Sequence, residues 1–285
     1  MALAGVDWND EWKHRMQQWR TTSGKSCKEF WADPKSAKIY LKEGVRKHQT
    51  RIDNTLKDLP LTPDMRVIDI GSGPGILAVP MAKKVRSVTT VEPSPGMNRV
   101  MQELIREKNI QNIRCIEKAW EDVEITPELC HRYDLVIASM SLGMTDIREA
   151  VQKMVQVSRG YVYIYWHAGI PGWEAMPKAV WPTLFNQEYH GGPKSDILFQ
   201  VLYQMGIYPN VEVHNEHFHE TFASQSEAVE FYCRRFERIQ DDHRPVLEEY
   251  LNSHLVKGNG GYVHGFDHTT MKFWWKTGAE SHGRN

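Results

Sequence analysis

The segment from Val67 to Gly75 places a short apolar run directly before three glycines at alternate positions, Gly71, Gly73 and Gly75. The apolar run predicts a buried strand. The glycines let the backbone pass close under a ligand because they carry no Cβ. We expect a helix to begin near Ile76, which would aim free N–H groups and the positive end of the helix dipole at the turn. The pattern therefore predicts a cradle for a nucleotide or a related cofactor.

The spacing of the glycines separates two classes of cofactor. A dinucleotide fingerprint needs glycine at its first, third and sixth positions, and the sixth position here is Ile76. A nicotinamide-dependent oxidoreductase is therefore the weaker interpretation. The segment resembles motif I of the class I S-adenosylmethionine-dependent methyltransferases, in which an acid such as Asp69 precedes the glycines. That resemblance implies S-adenosyl-L-methionine as the cofactor, with Asp69 meeting its amino group directly or through water. The turn residues that it assigns to cofactor binding are Gly71, Ser72, Gly73 and Gly75.

A carboxylate follows the second apolar run. Ser87 to Val91 predicts a strand, and Glu92 stands at its end. An acid in this position can accept the hydroxyl groups of a ribose, although it could also be a solvated residue of the turn that starts at Pro93. The resemblance implies the ribose contact for Glu92, with Pro93 beside it.

The loop after the third predicted strand, Asn112 to Ile116, contains Ala119 and Trp120. In the methyltransferases this loop closes over the adenine. The ring of Trp120 could stack on the purine, or Ala119 and Trp120 could offer backbone N–H groups to its edge. A tryptophan that only fills the core is the alternative. Lys118 stands where many family members have Asp, so the match is partial.

The fourth predicted strand runs to Ala138 and is followed by Ser139 and Leu142. Open α/β sheets bind ligands at this end of a strand. The resemblance implies that Ser139 and Leu142 border the methionine and the methyl-transfer region, although either could cap the strand or fill the core. The sequence lacks the Pro-Pro-Tyr tetrad that is typical of enzymes methylating the exocyclic amines of bases.

Histidines suggest two further kinds of chemistry. His167 follows the fifth predicted strand and is the candidate general base if the acceptor is a poorly acidic hydroxyl or a protonated amine; a structural histidine is the alternative. Two groups of histidines have spacings that could bind zinc or nickel. They are His214, His217 and His219, and His264 and His268. In a strand only His217 and His219 of the first group share a face, so we expect no metal.

Strands alternate with helical stretches, which predicts parallel pairing through right-handed crossovers. The resemblance implies an α/β, Rossmann-like sheet of seven mostly parallel strands, with an antiparallel last strand at Thr270 to Lys276. We expect residues 1–60 to form a helical N-terminal lid and residues 61–285 to form the methyltransferase domain, with a helical insertion at about 224–256. The lid contains the tryptophans Trp8, Trp12, Trp19 and Trp31.

The composition of the chain limits the classes of partner that we expect. The chain has 285 residues and a formal net charge of −1, and it lacks the dense basic tract of nucleic-acid-binding proteins. No apolar run reaches the length of a membrane span. The cysteines are scattered without a Cys-x-x-Cys pair, which indicates reduced thiols in the cytoplasm; they are Cys27, Cys115, Cys130 and Cys233.

We therefore expect a cytoplasmic S-adenosylmethionine-dependent methyltransferase that acts on a small molecule. A protein methyltransferase and a non-catalytic cofactor-binding module stay open as alternatives, and the sequence leaves the oligomeric state undefined.

Overall fold

A computed structural model describes residues 5–23, 31–129, 132–236, 238–258 and 260–278. Eight strands lie in these ranges: β1 Arg66–Ile70, β2 Ser87–Val91, β3 Ile113–Ile116, β4 Tyr133–Ser139, β5 Ser158–Ala168, β6 Asn210–Phe222, β7 Leu255–Gly258 and β8 Gly261–Lys276. The α-helices in the same ranges are α1 Trp8–Ser23, α2 Pro34–Asp58, α3 Ala78–Ala82, α4 Pro95–Glu107, α5 Ile125–Glu128, α6 Ile147–Val157, α7 Gly172–Phe185, α8 Ser195–Gln204, α9 Gln225–Arg235 and α10 Arg244–His254.

The strands form one sheet in the order β3-β2-β1-β4-β5-β8-β6, and β7 pairs with β8 beside this path. Strands β1 to β5 pair in parallel, whereas β8 runs antiparallel to both β5 and β6. The Rossmann-like fold with an antiparallel last strand is thus confirmed, with β7 as an eighth strand. The connections reverse direction between β1 and β4, so a crevice opens at the carboxyl ends of these two strands.

Apolar side chains cover the sheet on both faces. On one face Ile68 and Val136 pack with α1, α6 and α8. On the other face Val67 and Leu135 pack with α2 and α3. A third cluster joins α7 to the two helices α9 and α10 and centres on Trp181. The strands below the crevice therefore have a packed apolar layer on each face.

The N-terminal helices are part of this core. Trp12 of α1 is fully buried, and its indole N–H donates to the carbonyl oxygen of Met144 at 2.9 Å. The end of α2 is fixed on the opposite face, where Lys272 Nζ lies 2.9 Å from Asp58 Oδ2. The two helices therefore hold the sheet from opposite sides.

Three elements differ from the sequence expectation. The helix after the glycine turn has only five residues and begins at Ala78, because Pro80 lacks the N–H that an earlier turn would need. Strand β8 extends well beyond Thr270 to Lys276, because its residues 262–274 pair with β6. Helix α7 was not predicted, since Pro177 and Pro182 interrupt its pattern.

Cys115 and Cys233 are free thiols, and Cys27 and Cys130 lie outside the described residues. Among the helices described, none combines the length and apolar character needed to cross a membrane.

Candidate active site

The three glycines of the turn after β1 all have left-handed backbone angles, with φ of 68° at Gly71, 55° at Gly73 and 86° at Gly75. Left-handed angles favour glycine. A Cβ on Gly71 would lie 2.2 Å from Ser141 Cβ, and one on Gly75 would lie 3.0 Å from Met101 Cγ. A Cβ on Gly73 would meet nothing within 4 Å. Packing therefore requires the outer glycines, whereas the middle one borders open space that a ligand could enter.

Hydrogen bonds from neighbouring strands fix the turn. The N–H groups of Gly71 and Ser72 donate to the carbonyl oxygen of Val91 at 2.7 and 3.3 Å. The hydroxyl of Ser141 donates to the carbonyl oxygen of Ile70 at 2.6 Å. Met140, between β4 and this contact, has a left-handed φ of 56°, which a non-glycine residue adopts only when its surroundings impose it. Hydrogen bonds thus hold together the residues at the carboxyl ends of β1, β2 and β4.

Asp69 lies under this turn with an unsatisfied oxygen. Its Oδ2 is buried and has no hydrogen-bond partner among the described residues. Burial, with a smaller contribution from the charge of Glu92, raises the pKa of Asp69 to about 7. Buried polar atoms are normally paired, so a cofactor amino group or a water molecule would fit this position.

Glu92 connects the end of β2 to the glycine turn. Its Oε2 accepts from the Gly73 N–H at 2.9 Å, and its Oε1 accepts from the Ser94 N–H at 2.8 Å. Burial raises the pKa of Glu92, and these two bonds oppose the rise. A carboxylate oxygen can accept more than one hydrogen bond, so both oxygens keep capacity for ribose hydroxyls.

The residues after Glu92 and Pro93 contact the N-terminal segment. Ser94 caps α4 by accepting from the Met97 N–H at 3.3 Å, and its hydroxyl donates to the carbonyl oxygen of Trp31 at 2.7 Å. A Cβ on Gly96 would lie 2.4 Å from the same oxygen. The backbone at Trp31 therefore lies against the start of α4.

Trp120 is a core residue. Its ring is buried, its indole N–H donates to the carbonyl oxygen of Ala150 at 3.0 Å, and Lys153 Nζ lies 5.3 Å from the ring centroid. These contacts support the core alternative for the ring. The backbone of Ala119 and Trp120 is then the part of the loop that could meet an adenine.

Ser139 and Leu142 have different surroundings. Ser139 ends β4, and its hydroxyl accepts from Arg51 Nη1 at 3.3 Å. Leu142 is fully buried in the core beside α1 and α6. Of the two, only Ser139 has a polar side chain that contacts the helix over the crevice.

His167 is paired with a second histidine that the sequence suggested only as a metal ligand. His167 Nδ1 lies 3.2 Å from His268 Nε2, and the ring of Trp173 lies 4.8 Å from one imidazole centroid and 5.1 Å from the other. Burial and the neighbouring His268 lower the pKa of His167. Burial, Arg51 and Lys194 lower the pKa of His268 to about 4, so both imidazoles are neutral at pH 7.

Sequence reasoning missed the roles of Arg51 and His268 at this edge. Neither follows a recognisable motif, and their positions depend on how α2 crosses the sheet and on the register of β5 with β8. The spacing of the histidines along the chain therefore gave no usable signal.

The histidines considered for a metal do not converge. His217 Nδ1 lies 2.9 Å from Asp267 Oδ1, His264 Nδ1 lies 2.5 Å from the hydroxyl of Tyr232, and His268 contacts His167. Within the described ranges, a triad with the spacing of metal ligands is formed by Asp58, Glu212 and His214. Lys272 Nζ already lies 2.9 Å from Asp58 Oδ2 and 2.7 Å from Glu212 Oε2. The Lys272 ammonium group therefore occupies the position that a metal ion would take.

Comparison with known proteins identifies the central part of the chain. Residues 67–160 match the family model described as "Methyltransferase domain". An uncharacterised protein of Haemophilus influenzae is 25% identical over 157 residues, which cover 55% of this chain and 56% of that protein. A ubiquinone biosynthesis O-methyltransferase of Methylobacterium nodulans is 31% identical over 99 residues, which cover 35% of this chain and 37% of that enzyme. The chain thus spans about half the length, or less, of these curated relatives.

Solved structures share the fold. A putative methyltransferase from Bacillus halodurans superimposes with a TM-score of 0.56 at 15% sequence identity, covering 80% of this chain and 98% of the other. The matched segment 67–160 contains the glycine turn, Glu92 and Ser139. Residues 67–160 thus match a methyltransferase domain, and the likeness to the Bacillus halodurans structure shows the fold.

Proposed function

We propose that the protein uses S-adenosyl-L-methionine to methylate a small molecule. The observation that carries this proposal is the combination at the crevice of an open position at Gly73, a buried Glu92 bonded to the turn and an unpartnered oxygen of Asp69. When bound, the cofactor would supply a methyl group on a sulfonium for in-line displacement. The chain would supply orientation and exclusion of water.

Different residues would hold the methionine, ribose and adenine parts of the cofactor. The glycine turn and Asp69 would hold the methionine end, Glu92 with Pro93 would hold the ribose, and the backbone of Ala119 and Trp120 would meet the adenine. Ser139 would border the methyl-transfer region, and Leu142 would support it from the core. We propose that residues 1–60 act as a lid anchored in the core, because Arg20 of α1 contacts Gly143 and Arg51 of α2 contacts Ser139, at the carboxyl end of β4.

Two observations support a small acceptor. Trp12 and Arg20 of α1 both contact the loop after β4, where Arg20 Nη2 donates to the carbonyl oxygen of Gly143 at 3.0 Å. This contact limits the space available to a macromolecule. The name of the Methylobacterium relative also refers to the biosynthesis of a small molecule, ubiquinone. For an acceptor that must lose a proton, we propose the imidazole pair at His167 as the general base.

Calorimetry with S-adenosylhomocysteine and NAD tests the cofactor assignment. We expect S-adenosylhomocysteine to bind and NAD to bind more weakly, because Ile76 replaces the third glycine of the dinucleotide fingerprint. Tighter binding of NAD would contradict the proposal. Release of S-adenosylhomocysteine from S-adenosylmethionine would then be measured with a panel of phenols, alcohols, amines and thiols, and with a protein and an RNA as controls for other acceptor classes.

A further inference from the structure

Polar side chains line the part of the sheet that α2 covers beyond the crevice. Strand alternation and register place them on one face of β5, β8 and β6: His167 lies opposite Thr270, which lies opposite His214, and His268 lies opposite Glu216. We call this set the polar face, defined by Tyr165, His167, His214, Glu216 and His268.

The polar face concentrates unsatisfied atoms. Within the described ranges, seven buried side-chain atoms have no hydrogen-bond partner, and four of them belong to this face. They are Tyr165 Oη, His214 Nε2, Glu216 Oε2 and His268 Nδ1. Buried polar atoms are normally paired, so such a concentration indicates a place where a polar ligand binds.

Arg51 of α2 connects the polar face to the methyl-transfer region. Its Nη1 donates to the hydroxyl of Ser139 at the end of β4. Burial is the largest influence on the pKa of four neighbouring groups, and the charge of Arg51 acts on each in the lowering direction. These groups are Tyr165, His167, Glu216 and His268. The guanidinium therefore lies among the polar side chains and beside the end of β4.

His268 is held rigidly with one nitrogen available. The residue is 4% exposed, and its ring stacks on Trp173 at an interplanar angle of 28°. Phe218 meets the same ring edge-on, with centroids 5.6 Å apart. His268 Nε2 contacts His167 Nδ1, so Nδ1 is the nitrogen left for a ligand.

We propose that the acceptor carries a hydroxyl group and that His268 Nδ1 accepts its proton, with His167 as the positioning residue. This inference rests on the proposed methyltransferase function. The hydroxyl oxygen bonds to the methyl carbon as the carbon–sulfur bond of the cofactor breaks, and the sulfur keeps that electron pair. The hydroxyl proton goes to His268 Nδ1 and then to solvent water. His268 Nε2–H donates to His167 Nδ1 throughout, which keeps the lone pair of Nδ1 toward the acceptor.

The charged groups around His268 have both signs. Arg51 faces it from α2, and Lys194 faces it from the start of α8. Lys194 is paired with Glu174 of α7 at 2.8 Å, and Glu216 of β6 lies in the adjacent register position. A hydroxyl group needs only a hydrogen-bond acceptor, which the unprotonated His268 Nδ1 provides.

The tautomer of His268 can be measured without knowing the acceptor. Nitrogen NMR of the ¹⁵N-histidine-labelled protein, with the His268 signals assigned by their loss in His268→Gln, should show a protonated Nε2 and an unprotonated Nδ1 at pH 7. A protonated Nδ1 would overturn the inference whether or not an acceptor has been found.

Kinetics with the acceptor panel provide the second test. We expect the wild-type protein to methylate members of the phenol or alcohol classes, and His268→Gln to lower kcat by about 10²-fold or more with an unchanged KM for S-adenosylmethionine. The matched control is His264→Gln, since His264 is equally buried on the same strand but contacts Tyr232; it should retain the wild-type rate. His167→Asn, whose amide oxygen can replace Nδ1 as an acceptor, should retain more of kcat than His167→Ala.

The outcomes separate the inference from the function on which it rests. Failure of the wild-type protein to bind S-adenosylmethionine would remove the proposed function. Binding with transfer only to amines or thiols, or a folded His268→Gln that keeps the wild-type kcat on a hydroxyl, would remove the role of His268 and leave the methyltransferase assignment intact. Circular dichroism and calorimetry with S-adenosylhomocysteine would confirm that each variant is folded.

Discussion

Two regions of the molecule depend on the sequence in different ways. One is the glycine-turn edge, the edge of the sheet where Gly71, Gly73 and Gly75 follow β1, and the other is the polar face. At the glycine-turn edge, backbone groups and Glu92 lie close together because β1 and β2 are adjacent strands that end at the same level. On the polar face, Arg51, His167 and His268 come from segments that are far apart in the chain. A cofactor that relies on backbone contacts leaves a local motif, whereas a pocket built from side chains depends on tertiary packing.

The largest expected effect tests whether the glycine turn is fixed by packing. Gly71→Ala should destabilise the fold by about 3 to 5 kcal/mol, because the new methyl group would overlap Ser141 and the left-handed φ would be strained. Urea unfolding gives the free energy. Gly73→Ala should cost only about 1 to 2 kcal/mol but should weaken binding of S-adenosylhomocysteine by filling the open position.

A glycine on the other side of β8 from the polar face is the matched control for Gly71. A Cβ on Gly265 of β8 would lie 3.1 Å from Nε2 of the exposed side chain of His217, which can move away. Gly265→Ala should therefore leave both stability and cofactor binding nearly unchanged. An equal loss of stability from the two substitutions would contradict the role of packing at Gly71.

Local motifs explain which parts of the molecule could be predicted. The ends of the first four strands lie within one residue of the predicted positions, because each apolar run ends in a turn signal. Helix α7 was not predicted because two prolines interrupt its pattern, and the polar, half-exposed alternation of β8 did not show how far that strand extends along β6. The role of His268 could not be predicted, since its contact with His167 depends on the register of β8 against β5.

The next effect concerns the titration of Asp69. Its folded pKa of about 7 is above the value near 4 expected in the unfolded chain, so ionisation opposes folding. The penalty is absent below pH 4, grows as pH rises, and is complete above pH 7. Asp69→Asn should therefore match the wild type at pH 4 and exceed its stability at pH 8 by up to about 4 kcal/mol, measured by urea unfolding.

Glu216 on the polar face is the comparison for the titration of Asp69. Burial raises the pKa of Glu216, with opposing effects from Arg51 and His214. Glu216→Gln should gain less stability at pH 8 than Asp69→Asn, because Glu216 is only partly buried. A larger gain for Glu216→Gln would show that ionisation of Glu216 costs more folding free energy than ionisation of Asp69.

A smaller effect is expected at Glu92. Glu92→Gln keeps the side-chain shape but leaves one carbonyl oxygen to serve Gly73 and Ser94, together with the proposed ribose. Affinity for S-adenosylhomocysteine should fall by about 1 to 3 kcal/mol, measured by calorimetry. Glu117→Gln is the control, since Glu117 is an exposed acid that accepts from Gln102. An unchanged affinity in Glu92→Gln would restrict Glu92 to its role in the turn.

The smallest effect separates a core tryptophan from a cofactor contact. Trp120→Phe removes the indole N–H that donates to Ala150 and part of a buried ring, so the fold should lose about 1 to 3 kcal/mol. The affinity for S-adenosylhomocysteine should change by less than the stability does, because the ring lies in the core. Trp173→Phe, beside the two histidines, should show the reverse pattern: little change in stability and a higher KM for the acceptor. If Trp120→Phe instead loses cofactor affinity at unchanged stability, the ring contacts the adenine and the glycine-turn edge depends on side chains as much as the polar face does.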